Sequence, residues 1–256
     1  MPHKKEKNKN NTIVHSAQKG YDNKKFIHSS DGRVIRLLAE YLHPKQQLER
    51  MKVKKSIIFF GSARSHSSEF NPDSKSSKFY DEARRTAYLF AEWSKTLPVE
   101  KQFHICTGGG PGIMEAANRG AKEAGTSTIG LNISLPFEQY PNQYITPELN
   151  FEFHYFFMRK FWFVYLASAI IAFPGGLGTL DELMEILTLR QTEKVTKPLP
   201  ILLYSKEYWK KVINFDYLIE MGMIKAEDMN LFKFVETPEE AFEYLKSELS
   251  RIHKIE

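Results

Sequence analysis

Residues 169–192 join an apolar run, a glycine-rich turn and the start of a helix. The run at residues 169–173 is apolar throughout, which is typical of a strand buried on both faces. A helix is predicted from Thr179, because leucines and a methionine follow it at helical spacing. Glycines let a ligand approach the backbone, and the first N–H groups of a helix lack partners. The segment therefore predicts a phosphate-binding turn made of Pro174, Gly175, Gly176, Leu177 and Gly178.

Glu182 lies on the first turn of that predicted helix and has two interpretations. Thr179 and Glu182 are spaced as in a capping box, in which the carboxylate accepts a hydrogen bond from the cap backbone. A carboxylate beside a phosphate site also has the chemistry of a catalytic group. Spacing alone favours the cap, so a catalytic role for Glu182 needs support from the rest of the chain.

A second glycine turn, TGGGPG, follows an apolar strand predicted at residues 103–106. It leads into a helix that begins near Ile113 and Met114, with a proline suited to the first turn. Its glycines, Gly109 and Gly110 among them, are placed to hold another part of the same ligand. Neither turn fits G-x-G-x-x-G, and no G-x-x-x-x-G-K-[ST] occurs, which disfavours NAD-binding and P-loop NTPase functions.

Two further pairs of residues have functional potential. Gly61 and Ser62 follow the apolar strand predicted at residues 56–60, and ligands of open α/β sheets bind beyond such strand ends. Arg159 and Lys160 follow an aromatic stretch. Two adjacent cations are either solvated or face a phosphate, for which guanidinium geometry is well suited.

The order of elements predicts the fold class. Strands alternate with helices across residues 56–256, which predicts an α/β protein with a Rossmann-like, doubly wound parallel sheet in a single domain. A length of 256 residues with 42% hydrophobic content suits one large core. Further elements are expected as strands at residues 127–133, 199–204 and 232–236, a helix at 208–221, and a final helix opened by a capping box at Thr237.

The N-terminal segment differs from the rest of the chain in charge. Residues 1–55 hold 14 Lys and Arg against 5 Asp and Glu, a net charge of +9, whereas the whole chain carries +5. The remainder therefore carries −4, which makes nucleic-acid binding an unlikely main function. We interpret residues 1–30 as a flexible basic tail and residues 31–55 as a helical extension, with one helix ending at Pro44 and a short second helix after it.

Composition also bears on the compartment. The single cysteine, Cys106, excludes an intramolecular disulfide and favours a reducing cytosol. No apolar run approaches the ~20 residues of a membrane span, and no apolar segment follows the N-terminal lysines as in a signal peptide. We expect a cytoplasmic protein without membrane contact, metal or cofactor.

Together the motifs resemble those of the lonely-guy family, which is named for its cytokinin-activating members and often mislabelled lysine decarboxylase. The shared segments are TGGGPGIMEAANRGA from Thr107, MRK from Met158 and PGGLGTLDE from Pro174. The resemblance covers about residues 55–245 and implies a Rossmann-like fold. It also implies hydrolysis of a nucleoside 5′-monophosphate, AMP-like or a cytokinin riboside monophosphate, to free base and ribose 5-phosphate.

The resemblance also assigns roles to residues. It makes Arg159 and Glu182 the catalytic pair and places Lys160 beside the substrate. It places Ile113 and Met114 near the base. Sites in this family lie near a homodimer interface, so a homodimer or larger homo-oligomer is implied. The resemblance assigns the phosphate to Gly175, Gly176, Gly178 and Thr179.

Two departures from the family pattern leave the base open. The plant-type enzymes have a histidine two residues before the arginine, where this chain has Phe157. The loop at residues 134–150 resembles that of longer bacterial members, whose base preferences are less uniform. Two other functions remain as alternatives: a non-catalytic nucleotide-binding or signalling protein, and a pyridoxal-phosphate lysine decarboxylase, although no sequence context marks a Schiff-base lysine.

Overall fold

The fold is described from a computed structural model of the chain. The structure describes residues 17–72, 74–135 and 140–255. The chain divides into two compact units, residues 1–43 and residues 44–256. Residues 1–16 of the predicted basic tail lie outside the described residues.

The N-terminal part of the described chain contains two helices. Helix α1, Lys24–Ile27, is capped by Asn23, whose side chain accepts a hydrogen bond from the backbone N–H three residues on at 3.1 Å. Helix α2, Arg33–Arg50, contains Pro44 in its interior. The predicted helix end at Pro44 and the separate second helix are therefore wrong. Proline removes one helical hydrogen bond, and the turns on either side continue the helix.

The larger unit is built on a parallel sheet of seven strands in the order β4-β3-β2-β1-β5-β6-β7. The predicted α/β class with a doubly wound parallel sheet is confirmed. The strands are β1 Ser56–Phe60, β2 His104–Thr107, β3 Thr128–Ile133, β4 Asn150–Phe153, β5 Ala167–Ala172, β6 Ile201–Tyr204 and β7 Lys233–Val235.

Helices cover both faces of this sheet. Ile57 and Phe59 of β1 face a core shared with α3, α4 and α9, whereas Phe60 meets Phe163 of α5 edge-on, with 5.1 Å between ring centroids. Every residue of β1 is buried, which explains why its sequence is apolar without alternation. The helices are α3 Ser77–Lys95, α4 Ile113–Glu123, α5 Phe156–Leu166, α6 Leu177–Gln191, α7 Lys206–Val212, α8 Phe215–Glu220 and α9 Pro238–His253.

Two elements differ from the sequence prediction. The aromatic stretch before Arg159 begins with strand β4, which pairs with β3 at the edge of the sheet. The helix predicted at residues 208–221 is two helices, because Asn214 breaks the first and caps α8 by accepting a hydrogen bond from Tyr217 N at 3.0 Å.

The cap predicted for the last helix is present in a shifted form. Thr237 Oγ1 accepts a hydrogen bond from Glu240 N at 3.1 Å. The Glu240 carboxylate accepts its bond from Glu236 N, one residue before the cap, at 2.8 Å. Both bonds satisfy N–H groups at the start of α9.

The strand order fixes where a ligand can bind. Chain order reverses at β1, which has β2 on one side and β5 on the other. In open α/β sheets such a reversal leaves a crevice beyond the carboxyl ends of the strands. The loops after β1 and β5 meet there, since Ser62 N donates a hydrogen bond to Pro174 O at 3.0 Å. No helix in the described ranges is both long and apolar enough to span a bilayer.

Candidate active site

A cavity of about 910 Å³ opens at the carboxyl edge of the sheet. Its wall combines the loops after β1, β2, β3 and β5 with parts of α3, α5 and α6. A volume of this size lies within the range of ~300–1,000 Å³ that is usual for small-molecule sites. The predicted site residues on the wall are Gly61, Ser62, Met114, Arg159, Gly175, Gly176, Leu177, Gly178, Thr179 and Glu182.

The turn at residues 174–179, called the open turn below, leads from β5 into α6. A Cβ atom on Gly176 or Gly178 would have no heavy atom within 4 Å, so both backbones face open space. Gly175 is packed instead, because a Cβ there would meet the Thr179 side chain. Tyr208 Oη also donates a hydrogen bond to Gly175 O at 2.6 Å. The open turn is therefore held in place at Gly175, while the backbone at Gly176 and Gly178 stays accessible to a ligand.

The interpretation of Thr179 and Glu182 as a capping box is wrong. Helix α6 begins at Leu177 with Gly176 as its N-cap, and no side chain caps it. Thr179 is thus the third helical residue, and Glu182 lies three residues further along the helix. Glycine turns can begin a helix without a side-chain cap. The first N–H groups of α6 remain available to a ligand, and the Glu182 carboxylate is released from capping.

Glu182 pairs with Arg159 across two helices. The Arg159 Nη2 atom on α5 lies 3.3 Å from Glu182 Oε1 on α6, and the two side chains are only 14% and 8% exposed. The guanidinium also lies near the rings of Phe156 and Phe163, 5.2 Å and 5.7 Å from their centroids. The pair is consequently held on the cavity wall with little freedom.

Burial sets the protonation of this pair. It raises the pKa of Glu182 to about 7, while the positive charges of Arg159 and Lys160 act in the opposite direction. Burial also lowers the pKa of Arg159, and the Glu182 carboxylate opposes that shift. A guanidinium remains protonated near neutral pH because its ordinary pKa is above about 12. Strongly shifted groups in a cleft are typical of functional sites.

Lys160 does not line the cavity. Its Nζ atom lies 2.7 Å from Asp181 Oδ2 and 2.6 Å from Glu185 Oε2, on the neighbouring helix α6. Successive side chains on an α-helix diverge by about 100°, so adjacent Arg159 and Lys160 cannot share one direction. The structure therefore gives Lys160 two carboxylates that hold α5 against α6, and its predicted contact with substrate stays a prediction.

The glycine turn at residues 108–112, called the buried turn below, forms a smaller part of the cavity wall than the sequence predicted. Gly108 and Met114 line the cavity, whereas Gly109 and Gly110 are buried behind them. Asn142 holds this turn: its Nδ2 atom donates to Gly109 O at 3.0 Å and to Gly110 O at 3.1 Å. Only the rim of the buried turn can reach a ligand directly.

Ile113 is also buried and supports the first loop from below. Its backbone N–H donates a hydrogen bond to Ser62 O at 3.0 Å. A Cβ atom on Gly61 would lie 2.6 Å from the Ile113 side chain, so glycine is required at that position. Ile113 thus positions Gly61 and Ser62, while its predicted contact with the base stays a prediction.

Several wall residues were not predicted from the sequence. Phe156 was assigned to the aromatic stretch before Arg159, Phe163 to the helix after Lys160, and Tyr208 to a distant helix. Arg64 and Lys75 come from the loop between β1 and α3. A signal for Arg64 was available, because it directly follows Ser62 and Ala63 at a strand end. Among the described residues, no group of three metal-ligating side chains could hold an ion.

The comparisons with known proteins match the part of the chain that carries this site. A family model described as "Possible lysine decarboxylase" matches residues 114–245, which include Arg159, the open turn and Glu182. The chain belongs to this family. The resemblance to the lonely-guy family is thereby confirmed, since curated relatives carry the activity name of that family.

Two curated relatives of this chain illustrate the match. A probable cytokinin riboside 5′-monophosphate phosphoribohydrolase of Oryza sativa subsp. japonica is 31% identical over 137 residues, covering 52% of this chain and 58% of the relative. A pyrimidine/purine nucleotide 5′-monophosphate nucleosidase of Escherichia coli (strain K12) is 32% identical over 146 residues, covering 50% of this chain and 31% of the relative. The chain thus spans between about a third and somewhat over half the length of these two relatives.

A solved structure shares the fold. The X-ray structure of TM1055, a structural-genomics target, superposes with a TM-score of 0.52 at 19% identity. The match covers 75% of this chain and 99% of that chain. At this identity the likeness supports the arrangement of strands and helices and nothing about the ligand.

Proposed function

We propose that the protein hydrolyses the N-glycosidic bond of a nucleoside 5′-monophosphate, giving the free base and ribose 5-phosphate. The observation that carries this proposal is the placement of the Arg159–Glu182 pair and the open turn on the wall of one cavity. The open turn would bind an anion, and Glu182 supplies a carboxylate whose pKa is near neutral. The names of the curated relatives support the same reaction class.

The open turn would hold the 5′-phosphate. No side chain caps the start of α6, its first residues line the cavity, and the positive end of the helix dipole favours a dianion there. Gly176 and Gly178 allow phosphate oxygens to approach without meeting a Cβ atom. Binding energy from this remote group would orient the ribose for reaction.

Glu182 would act at the anomeric carbon. Breaking the bond between C1′ and the base nitrogen leaves the electron pair on the base and positive charge on the sugar. The ionised carboxylate stabilises that charge and positions the water whose oxygen adds to C1′. The proton released by this water neutralises the departing base. Arg159 keeps the carboxylate ionised and oriented through its 3.3 Å contact.

The first experiment incubates the purified full chain with AMP and separates adenine and ribose 5-phosphate by chromatography. Adenosine is the matched control, because it has the same glycosidic bond without the phosphate. We expect kcat/KM for adenosine to be lower by at least about 10²-fold, since the remote phosphate supplies orientation. Absence of adenine release from a panel of purine and pyrimidine monophosphates would contradict the proposal and leave a nucleotide-binding protein.

The rival decarboxylase function is tested on the same preparation. A pyridoxal-phosphate enzyme carries its cofactor as an imine with a lysine, which absorbs visible light. The proposal expects no such absorbance and no release of carbon dioxide from lysine. Preference among adenine, guanine, pyrimidine and N6-modified monophosphates would then decide whether cytokinin precursors are substrates.

We also propose that the protein is a cytoplasmic homo-oligomer. Phe157, Phe161 and Tyr165 recur every four residues along α5 and are 52%, 40% and 56% exposed in the single chain. Exposed aromatic side chains on one helix face are typical of protein interfaces. Light scattering should give at least twice the monomer mass of 29.8 kDa. The double variant Phe157→Glu with Tyr165→Glu should reduce that mass, since it would place carboxylates in the contact.

A further inference from the structure

The cavity continues past the open turn to the opposite face of the sheet. Arg159 and Glu182 belong to helices α5 and α6, whereas Lys75, Ser76 and Phe79 lie at the start of α3, on the other face. The carboxyl ends of β1 and β5 lie between the two sides. The open turn thus occupies the middle of the cavity, with the glycosidic chemistry on one side of it.

The α3 side of the cavity carries unpaired positive charge. Within the described ranges, neither the Arg64 guanidinium nor the Lys75 ammonium has a hydrogen bond or an ion pair. Nearby Arg84 and Arg119 behave differently, because both pair with carboxylates of Glu69 and Glu123. Two unpaired cations on one cavity wall attract an anion by their combined field.

A buried hydroxyl on the same wall has no partner. Ser65 is only 1% exposed, and its Oγ atom has no hydrogen bond within the described part of the chain. An unsatisfied buried hydroxyl lowers the stability of the fold by about 1–3 kcal/mol. Such groups therefore normally have a hydrogen-bond partner in the protein, in water or in a ligand. Ser76 also lines the cavity as the N-cap of α3; its side chain makes no cap hydrogen bond, and its Oγ atom lies 3.0 Å from Ser74 Oγ.

We propose that Arg64, Ser65, Lys75 and Ser76 form a second phosphoryl-binding subsite, so that the cavity binds nucleoside 5′-diphosphates. This inference rests on the proposed function, because it takes the open turn as the site of the first phosphate. A second phosphoryl group attached to the first would extend from the open turn away from Glu182, toward α3. Hydroxyl donors and unpaired cations are the groups that bind phosphate in proteins.

Titration calorimetry with AMP and ADP measures the subsite directly, and every full-length chain titrated carries Glu182→Gln so that neither ligand is hydrolysed during the titration. We expect the Kd for ADP to be about tenfold lower than the Kd for AMP, since a second phosphoryl group gains charge-assisted hydrogen bonds. In the double variant Arg64→Gln with Lys75→Gln the ratio of the two Kd values should fall to about one. Equal affinities for AMP and ADP in the chain that carries Glu182→Gln alone would overturn the subsite.

Matched controls separate a subsite from general charge. Lys78 lies three residues after Lys75, in the first turn of α3; it does not line the cavity, and its Nζ atom lies 4.8 Å from the centroid of the Phe79 ring. Lys78→Gln removes the same charge and should keep the tenfold preference for ADP. If Lys78→Gln lowers the preference as much as the double variant does, long-range charge explains the binding and the subsite is rejected.

Ser65→Ala provides a second test that does not depend on charge. Because the hydroxyl has no partner in the unliganded chain, its removal should leave the melting temperature unchanged or higher. The ADP preference should fall about threefold. A loss of stability with an unchanged preference would mean that the hydroxyl is structural. AMP hydrolysis, assayed separately, distinguishes the two proposals: no hydrolysis with a retained ADP preference rejects only the reaction.

Discussion

The open turn and the buried turn have similar sequences, PGGLGT and TGGGPG, yet their surroundings are opposite. In the open turn, a side chain added at Gly176 or Gly178 would meet nothing within 4 Å. In the buried turn, one added at Gly109 would collide with Asn132, and one at Gly112 with the backbone of the loop after β1. Both Gly109 and Gly112 also have positive φ, +74° and +71°.

The difference shows that glycine serves two purposes at the same edge of the sheet. In the buried turn it allows protein backbone and side chains to pack closely. A polar network completes that packing: Asn118 Oδ1 accepts hydrogen bonds from Thr107 Oγ1 at 2.7 Å and from Asn142 Nδ2 at 2.9 Å. In the open turn, glycine leaves room for a ligand. The substitutions below separate these two purposes.

The largest effect is expected at Glu182, which lies on α6 three residues after the open turn. Glu182→Gln should lower kcat for AMP by about 10²–10⁴-fold, because the amide keeps the shape and loses the charge. Glu185→Gln is the matched control, since Glu185 lies on the same helix but pairs with Lys160 outside the cavity wall. Parent-like hydrolysis by Glu182→Gln would mean that the carboxylate has no part in the reaction.

A large loss of stability is expected in the buried turn. Gly109→Ala forces an alanine into positive φ and against Asn132, so the free energy of unfolding should fall by about 2–4 kcal/mol. Urea unfolding followed by circular dichroism measures this change. Gly125→Ala is the control for conformation alone, because Gly125 has φ +76° but open space around it. An equal loss in both variants would assign the whole effect to backbone strain.

The pH profile should follow Glu182. Its folded pKa of about 7 means that the carboxylate gains its charge as pH rises through neutrality, so kcat/KM for AMP should rise with pH and level off above about 8. Removing the guanidinium with Arg159→Gln should move the midpoint to higher pH, because Arg159 lowers the pKa of Glu182. The affinity for AMP must be measured alongside, since its phosphate titrates near pH 6. A midpoint unchanged by Arg159→Gln would contradict the coupling.

The smallest change is expected at Gly178, where stability and binding should move in opposite directions. Alanine is the better helix former, so Gly178→Ala should stabilise the fold by about 0.5–1 kcal/mol. The added methyl group would occupy space meant for phosphate, and KM for AMP should rise several-fold. Thermal unfolding and steady-state kinetics measure the two effects. An unchanged KM would show that phosphate does not approach the open turn at Gly178.

The sequence predicted most of the fold because strand and helix patterns are local. Buried parallel strands are continuous apolar runs, and β1, β5 and β6 carried that signal. Strands β2, β3 and β7 were also predicted, although each includes a residue that is not buried. Strand β4 was not predicted, since its exposed residues alternate with buried ones at the edge of the sheet. The interpretation of Pro44 as a helix end used a local preference that the rest of α2 overrides.

The sequence alone determined the family, the parallel α/β class and the two glycine turns, because spacing and residue type decide backbone conformation over short distances. Only the tertiary structure decided which groups meet. It brought Arg159 to Glu182 across 23 positions and turned Lys160 to Asp181 and Glu185. It also buried one glycine turn and exposed the other. Such outcomes depend on how helices pack on the sheet, which sets the direction of each side chain and is not encoded in any short motif.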